Sequence, residues 1–246
     1  MGETTAIEWT DKTHNFWYGC KKVSPGCKYC YAERDMTRFG RDFKTVTRAK
    51  GFTTPMKWKD PAKVFVNSLS DFFIEEADDW RADAWEVIKN TPQLDYQILT
   101  KRPENIADRL PDDWGESGYP NVWLGVSVET QEYVDRVHVL NQIPTVIRFV
   151  SYEPALGPLD LLVEFELGMV DWVISGGESG YKPRPAETEW FRRIQFQCNL
   201  YRIPFFHKQN GGRKKINKSW GGRQLNGMTY SAFPKHYTDR RPSTLV

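Results

Sequence analysis

Six short β-branched or aromatic runs recur after residue 60, each stopping at a polar residue and leading into a longer stretch of helical spacing. They cover residues 63–68, 96–101, 122–127, 147–151, 171–175 and 203–207, and their starts lie 24 to 33 residues apart. That interval is the length of a strand plus a crossover helix, so the pattern predicts successive βα units on a parallel sheet with right-handed crossovers. A further strand over residues 16–18 brings the count to about seven. The expected fold is α/β, a partial (β/α) barrel of about six to seven parallel strands, short of the eight of a full barrel. Helices are expected over 31–39, 79–90, 103–110, 131–141 and 187–201. The whole chain, residues 1–246, reads as one domain with an irregular C-terminal extension from about 211.

The polar residues that end these runs matter more than the runs. Ser68, Ser70 and Asp71 follow the first; Lys101 and Arg102 the next; then come Ser127 with Glu129, Ser151 with Glu153, Ser175 with Glu178, and His207 with Lys208. In parallel α/β architectures the C-terminal strand ends share one rim, and ligands bind there.

Composition narrows the classes. Ten Trp, eleven Tyr and fourteen Phe can fill a sizeable core, and no apolar run approaches the roughly 20 residues needed to cross a bilayer. The first residues lack a basic segment followed by an apolar one, so a cytoplasmic, reducing setting without membrane association is expected. A net charge of +2, from 34 basic and 32 acidic side chains, leaves no broad footprint for nucleic acid. Basic residues do cluster locally, at Lys21, Lys22 and Lys28 and again from Arg213 to Arg223. The second cluster, with Trp220, could grip a single strand, although a solvated basic tail is the commoner case.

Of four cysteines, three fall within eleven residues, Cys20, Cys27 and Cys30, inside a loop spanning 17–33. Three thiolates cannot close a four-ligand site, so one position stays open for a substrate or cofactor. Pro25 and Gly26 predict a turn that folds the loop back, and the neighbouring lysines favour thiolates. His14, six residues before Cys20, keeps a structural Cys3His zinc site open as the alternative, within a nucleic-acid-binding or interaction protein. Cys198 continues a helical face with Trp190 and Ile194 and is expected in the core.

The loop resembles that of the radical S-adenosylmethionine superfamily, in which three cysteines hold a 4Fe-4S cluster and an aromatic residue precedes the last of them, as Tyr29 precedes Cys30. The first gap, six residues, is wider than the usual three. Residues 7–11, Gly19-Cys20, Val23-Ser-Pro-Gly-Cys27, Cys30-Tyr-Ala-Glu33, Ser151-Tyr-Glu-Pro154 and Ile174-Ser-Gly-Gly-Glu178 are similar to a phage-associated family of radical-SAM-like proteins of unassigned reaction. The resemblance implies that Cys20, Cys27 and Cys30 ligate iron and that Tyr29 lies beside the adenine. It further implies reductive cleavage of S-adenosylmethionine to a 5′-deoxyadenosyl radical, with electrons from a flavodoxin- or ferredoxin-like donor. The superfamily's Gly-Gly-Glu motif follows its second strand, whereas Gly176-Gly177-Glu178 comes after a much later one. The order Ser68 or Ser70, Lys101, Ser127 is similar to the cofactor-holding serine, lysine and serine of spore photoproduct lyase. Asp71, Glu153 and Glu178 are the carboxylates expected to serve the amino group or the ribose hydroxyls. The substrate stays open among nucleotide, nucleic acid and peptide, and the lyase resemblance favours a nucleic-acid component.

Overall fold

The computed structural model describes residues 5–180 and 182–235. Its contacts divide the chain into two compact units, Met1–Ser127 with Val139–Val146, and Val128–His138 with Ile147–Val246.

In the first unit, β1 (Lys12–His14), β2 (Trp17–Tyr18) and β3 (Thr47–Arg48) precede the main strands β4 (Ala62–Val66), β5 (Leu94–Thr100) and β6 (Val122–Ser127). Helix α1 (Tyr31–Arg38) follows the cysteine loop, and α2 (Asp78–Lys89) is the crossover from β4 to β5. Strands β1, β4, β5 and β6 lie side by side in parallel, with Lys12 against Val64, Val64 against Tyr96, and Tyr96 against Val122. Every residue of β4 and β6 is buried, as continuous apolar runs in a parallel sheet predict. Phe16, Trp17, Phe72, Phe73 and Trp85 form an aromatic core with successive ring centroids 4.9 to 6.5 Å apart.

The chain then runs through α3 (Asp135–Asn141). The second unit has β7 (Arg148–Tyr152), α4 (Leu162–Glu166), β8 (Trp172–Gly176), α5 (Thr188–Leu200) and β9 (Phe205–Gln209), with β7, β8 and β9 adjacent and parallel. Seven parallel strands in all give the strand complement of a partial (β/α) barrel, the α/β class that the repeat predicts. Among the described residues no helix is long and apolar enough to cross a membrane.

Two expectations need correction, and the C-terminal extension gains some detail. The seventh strand of the parallel pattern is β1, not residues 16–18: β2 pairs antiparallel with β3 instead. Asn67, at φ 52°, turns the chain off β4, and its Oδ1 accepts the Phe16 amide at 2.8 Å, so a side chain takes the place of the next ladder bond. Residues 103–110 hold two 3-10 turns, Pro103–Asn105 and Ala107–Arg109, because the segment is too short to repay helix nucleation. The C-terminal extension contains two small hairpins, β10 (Lys215–Ile216) with β11 (Ser219–Trp220) and β12 (Gln224–Leu225) with β13 (Met228–Thr229); its part beyond 235 lies outside the described residues.

Candidate functional site

The antiparallel pair β2–β3 is the base from which the cysteine loop leaves and returns. Gly19 opens it at φ 92°, and a Cβ there would sit 2.4 Å from the Thr45 carbonyl oxygen, so only glycine fits. The Cys20 amide then bonds the Phe43 carbonyl at 2.8 Å. A 3-10 turn, Pro25–Cys27, reverses the chain as the Pro-Gly pair predicts, and Cys30 stands at the N-cap of α1. Ala32 and Met36 on the buried side of α1 meet Phe43, and both Cys20 and Cys30 pack against this small apolar cluster. Cys27 is carried on the turn, its sulfur 3.8 Å from Ser24 Oγ.

The thiols are free, and the three of the loop are half-buried. Burial pushes the Cys20 thiol up to about 12, helped by the Asp71 carboxylate and by Cys30 and opposed by the Arg102 guanidinium. Burial likewise raises Cys30, against the Glu33 and Ala32 amides at the start of α1 and the Lys101 ammonium, while Cys27 raises it further. The sulfurs therefore share one electrostatic neighbourhood. Among the described residues no three His, Cys, Asp or Glu side chains are drawn together as a metal-ligand group.

The strand ends of the first unit supply the surroundings. Asp71 is buried: its Oδ1 accepts the Thr100 hydroxyl at 2.7 Å and the Phe73 amide at 3.0 Å, and its Oδ2 accepts the Lys101 amide at 3.0 Å. Arg102, also buried, places Nη1 3.3 Å from Asp71 Oδ2 and 3.7 Å from Cys20 Sγ, while its Nη2 donates to the Lys21 carbonyl at 2.7 Å. Thr100 registers with Val126, which sets Lys101 opposite Ser127, and the ammonium donates to the Ser127 hydroxyl at 2.9 Å. Ser70 donates to the Gly19 carbonyl; Ser68 accepts from Asn15 Nδ2 at 3.3 Å, and its carbonyl accepts from the Tyr31 hydroxyl at 2.6 Å. Tyr29 is exposed, with the Lys28 ammonium 5.3 Å from its ring centre.

The first unit thus brings together Cys20, Cys30, Asp71, Lys101 and Ser127, with Ser68 and Ser70 bonded to the loop and its surroundings. Glu153 and Glu178 belong to the second unit. Glu153 pairs with Lys208 at 3.0 Å over Gly176, where a Cβ would lie 2.5 Å from Glu153 Oε1. Glu178 is buried and clamped by Arg184, whose Nε and Nη2 approach its carboxylate at 3.0 and 2.5 Å. The glycines of this motif serve close backbone approach: a Cβ on Gly177 would fall 2.2 Å from the Asn210 carbonyl oxygen, and one on Gly211 2.7 Å from that of Glu178. That packing accounts for the glycines at 177 and 211.

His14 is a core residue. Its Nε2 donates to the Phe52 carbonyl at 3.0 Å, its ring lies 4.4 Å from that of Phe16, and burial holds its pKa at about 4. In this arrangement its Nε2 is engaged by the Phe52 carbonyl. Cys198 is fully buried on α5, as its helical spacing predicts. Two features were missed from sequence. From sequence Arg102 reads only as a strand-end residue beside Lys101, and no local pattern pairs it with a thiol 82 positions away. The buried bond between Ser175 Oγ and His207 Nδ1 at 2.8 Å likewise joins residues 32 positions apart, and His207 Nε2 continues to Asn210 Oδ1 at 3.1 Å.

Parallel strands, a three-thiol loop based on β2–β3, and Lys101 and Arg102 just past the end of β5 define an α/β protein with a polar, thiol-bearing face in its first unit. The family model DUF5131, described as a protein of unknown function, matches residues 4–234, and the chain belongs to that family. No curated protein and no solved structure matches it.

Proposed function

We propose that this protein is a radical S-adenosylmethionine enzyme, with Cys20, Cys27 and Cys30 as the ligands of a 4Fe-4S cluster. The observation that carries the reading is a loop of three free thiols whose first sulfur lies 3.7 Å from the buried Arg102 guanidinium. The donor set fits such a group: thiolates suit iron–sulfur clusters, two nearby cations offset their charge, and the amides at the start of α1 favour the Cys30 thiolate. When bound, the cluster supplies an open iron to chelate the amino acid end of S-adenosylmethionine and an electron to cleave its sulfonium bond.

The remaining work falls to side chains. Lys101 and Ser127, already bonded to each other, offer a cation and a hydroxyl for the carboxylate end of the cofactor. Tyr29, exposed next to Cys30, offers an aromatic face for the adenine. Asp71, engaged by four protein groups, positions Lys101 and Arg102. Within the second unit Glu153 pairs with Lys208, and Glu178 is held bidentately by Arg184. The proposed electron source is a flavodoxin- or ferredoxin-like protein, and the proposed substrate has a nucleic-acid component.

The test is anaerobic reconstitution with iron and sulfide, followed by S-adenosylmethionine and dithionite, with 5′-deoxyadenosine measured by mass spectrometry. Cysteine-dependent product, lost in Cys27→Ala, is the expected result. Stoichiometric zinc without 5′-deoxyadenosine would replace the reading by a zinc-stabilised module. Lys101→Ala should weaken S-adenosylmethionine binding roughly tenfold or more while iron content stays at the parent level, since a charge-assisted hydrogen bond contributes about 1.5–3 kcal/mol.

A further inference from the structure

The Arg102 side chain is only 5 % exposed, yet no single acidic partner accounts for its position. It makes three separate contacts: Asp71 Oδ2 at 3.3 Å, the Lys21 carbonyl at 2.7 Å and the Cys20 sulfur at 3.7 Å. Glu75 lies farther out, at 4.0 Å from Nε. The residue is fixed from behind as well, because its amide donates to Thr100 Oγ1 at 2.9 Å and that hydroxyl donates to Asp71. A rigid fork anchored on β5 thus grips the first cysteine and the backbone of the next residue. Lysine could supply the charge but not the simultaneous contacts, since a single ammonium cannot span a carbonyl, a carboxylate and a sulfur in this way.

We infer that Arg102 is a positioning residue that seats Cys20 for metal binding and raises the electron affinity of the group the cysteines hold. The inference rests on the reading of the loop as a cluster site. Its physical basis is general: positive charge and N–H donors directed at a ligand sulfur favour the reduced, more negative state of an iron–sulfur centre and hold the ligand in place.

Reconstituted parent protein, Arg102→Gln and Arg102→Lys should be compared by iron content, by spectroelectrochemical midpoint potential, and by the rate of iron loss to a chelator. The glutamine variant should show a lower midpoint potential and iron loss several-fold faster. The lysine variant should recover part of the potential and little of the retention. If Arg102→Gln fails to fold, as judged by circular dichroism, Arg102→Lys carries the comparison, because it keeps a cation for Asp71. Potential and retention equal to the parent in the folded variants would overturn the inference while leaving the cluster reading intact. Failure of the parent itself to take up iron and sulfide would overturn both.

Discussion

Asp71 is the residue on which the first unit's strand ends depend. It lies past the end of β4, and its carboxylate receives a hydroxyl and an amide from successive residues at the end of β5 and faces the Arg102 guanidinium. Removing one member of a buried ion pair strands the other, so Asp71→Ala should cost about 3–5 kcal/mol in urea unfolding. Asp71→Asn, which keeps acceptor capacity, should cost less. A loss below about 1 kcal/mol for the alanine variant would mean that Arg102 finds water instead. Two buried histidines make a second, pH-dependent contribution. Burial lowers His14 and His207 from 6.5 to about 4. The unfolded chain therefore takes up protons near pH 6.5 that the folded rings refuse until about pH 4. Their stabilising effect is complete above pH 6.5, declines as pH falls between these values, and levels off below. Each ring is worth about 3 kcal/mol over that interval. Urea unfolding at pH 7 and pH 4.5 should show the decline, and His14→Gln should reduce it by roughly half.

At the scale of elements, α5 separates spacing from exposure. Its Ile194 and Cys198 are fully buried, as four-residue spacing from Trp190 predicts, and Phe191 packs edge-on against Tyr152 at 6.1 Å and beside His207 at 4.8 Å. Phe196 and Leu200 of the same helix are 64 % and 60 % exposed. Phe191→Ala should therefore destabilise by about 3–5 kcal/mol and Phe196→Ala by less than about 0.5 kcal/mol in thermal or urea unfolding. Equal losses would place Phe196 under cover. The same contrast explains which elements could be read in advance. Strands β4 to β9 and helices α1, α2 and α5 have strong periodic signals within their own residues. The short β1 carries no such signal, since Lys12, Thr13 and His14 become a strand only through pairing with Val64, Phe65 and Val66.

For the whole molecule, a group bound by the folded chain and not by the unfolded one must raise the melting temperature. Calorimetry of the reconstituted protein should show that rise, and chelation, or Cys27→Ala, should remove it. Cys27 is suited to this control because it sits on the turn, outside the apolar cluster that Cys20 and Cys30 pack against. By itself the sequence determined the α/β class, the places of six of the seven parallel strands, the three-thiol loop and the polar residues at the strand ends, because each is written in local periodicity or spacing. Only the tertiary structure decided which of those polar groups meet. Arg102 faces Cys20 from 82 positions away, and His14 turns into the aromatic core and bonds Phe52, 38 positions on. Such pairings follow from strand register and the direction of each side chain across the sheet, and neither is encoded in the residues nearest to it along the chain.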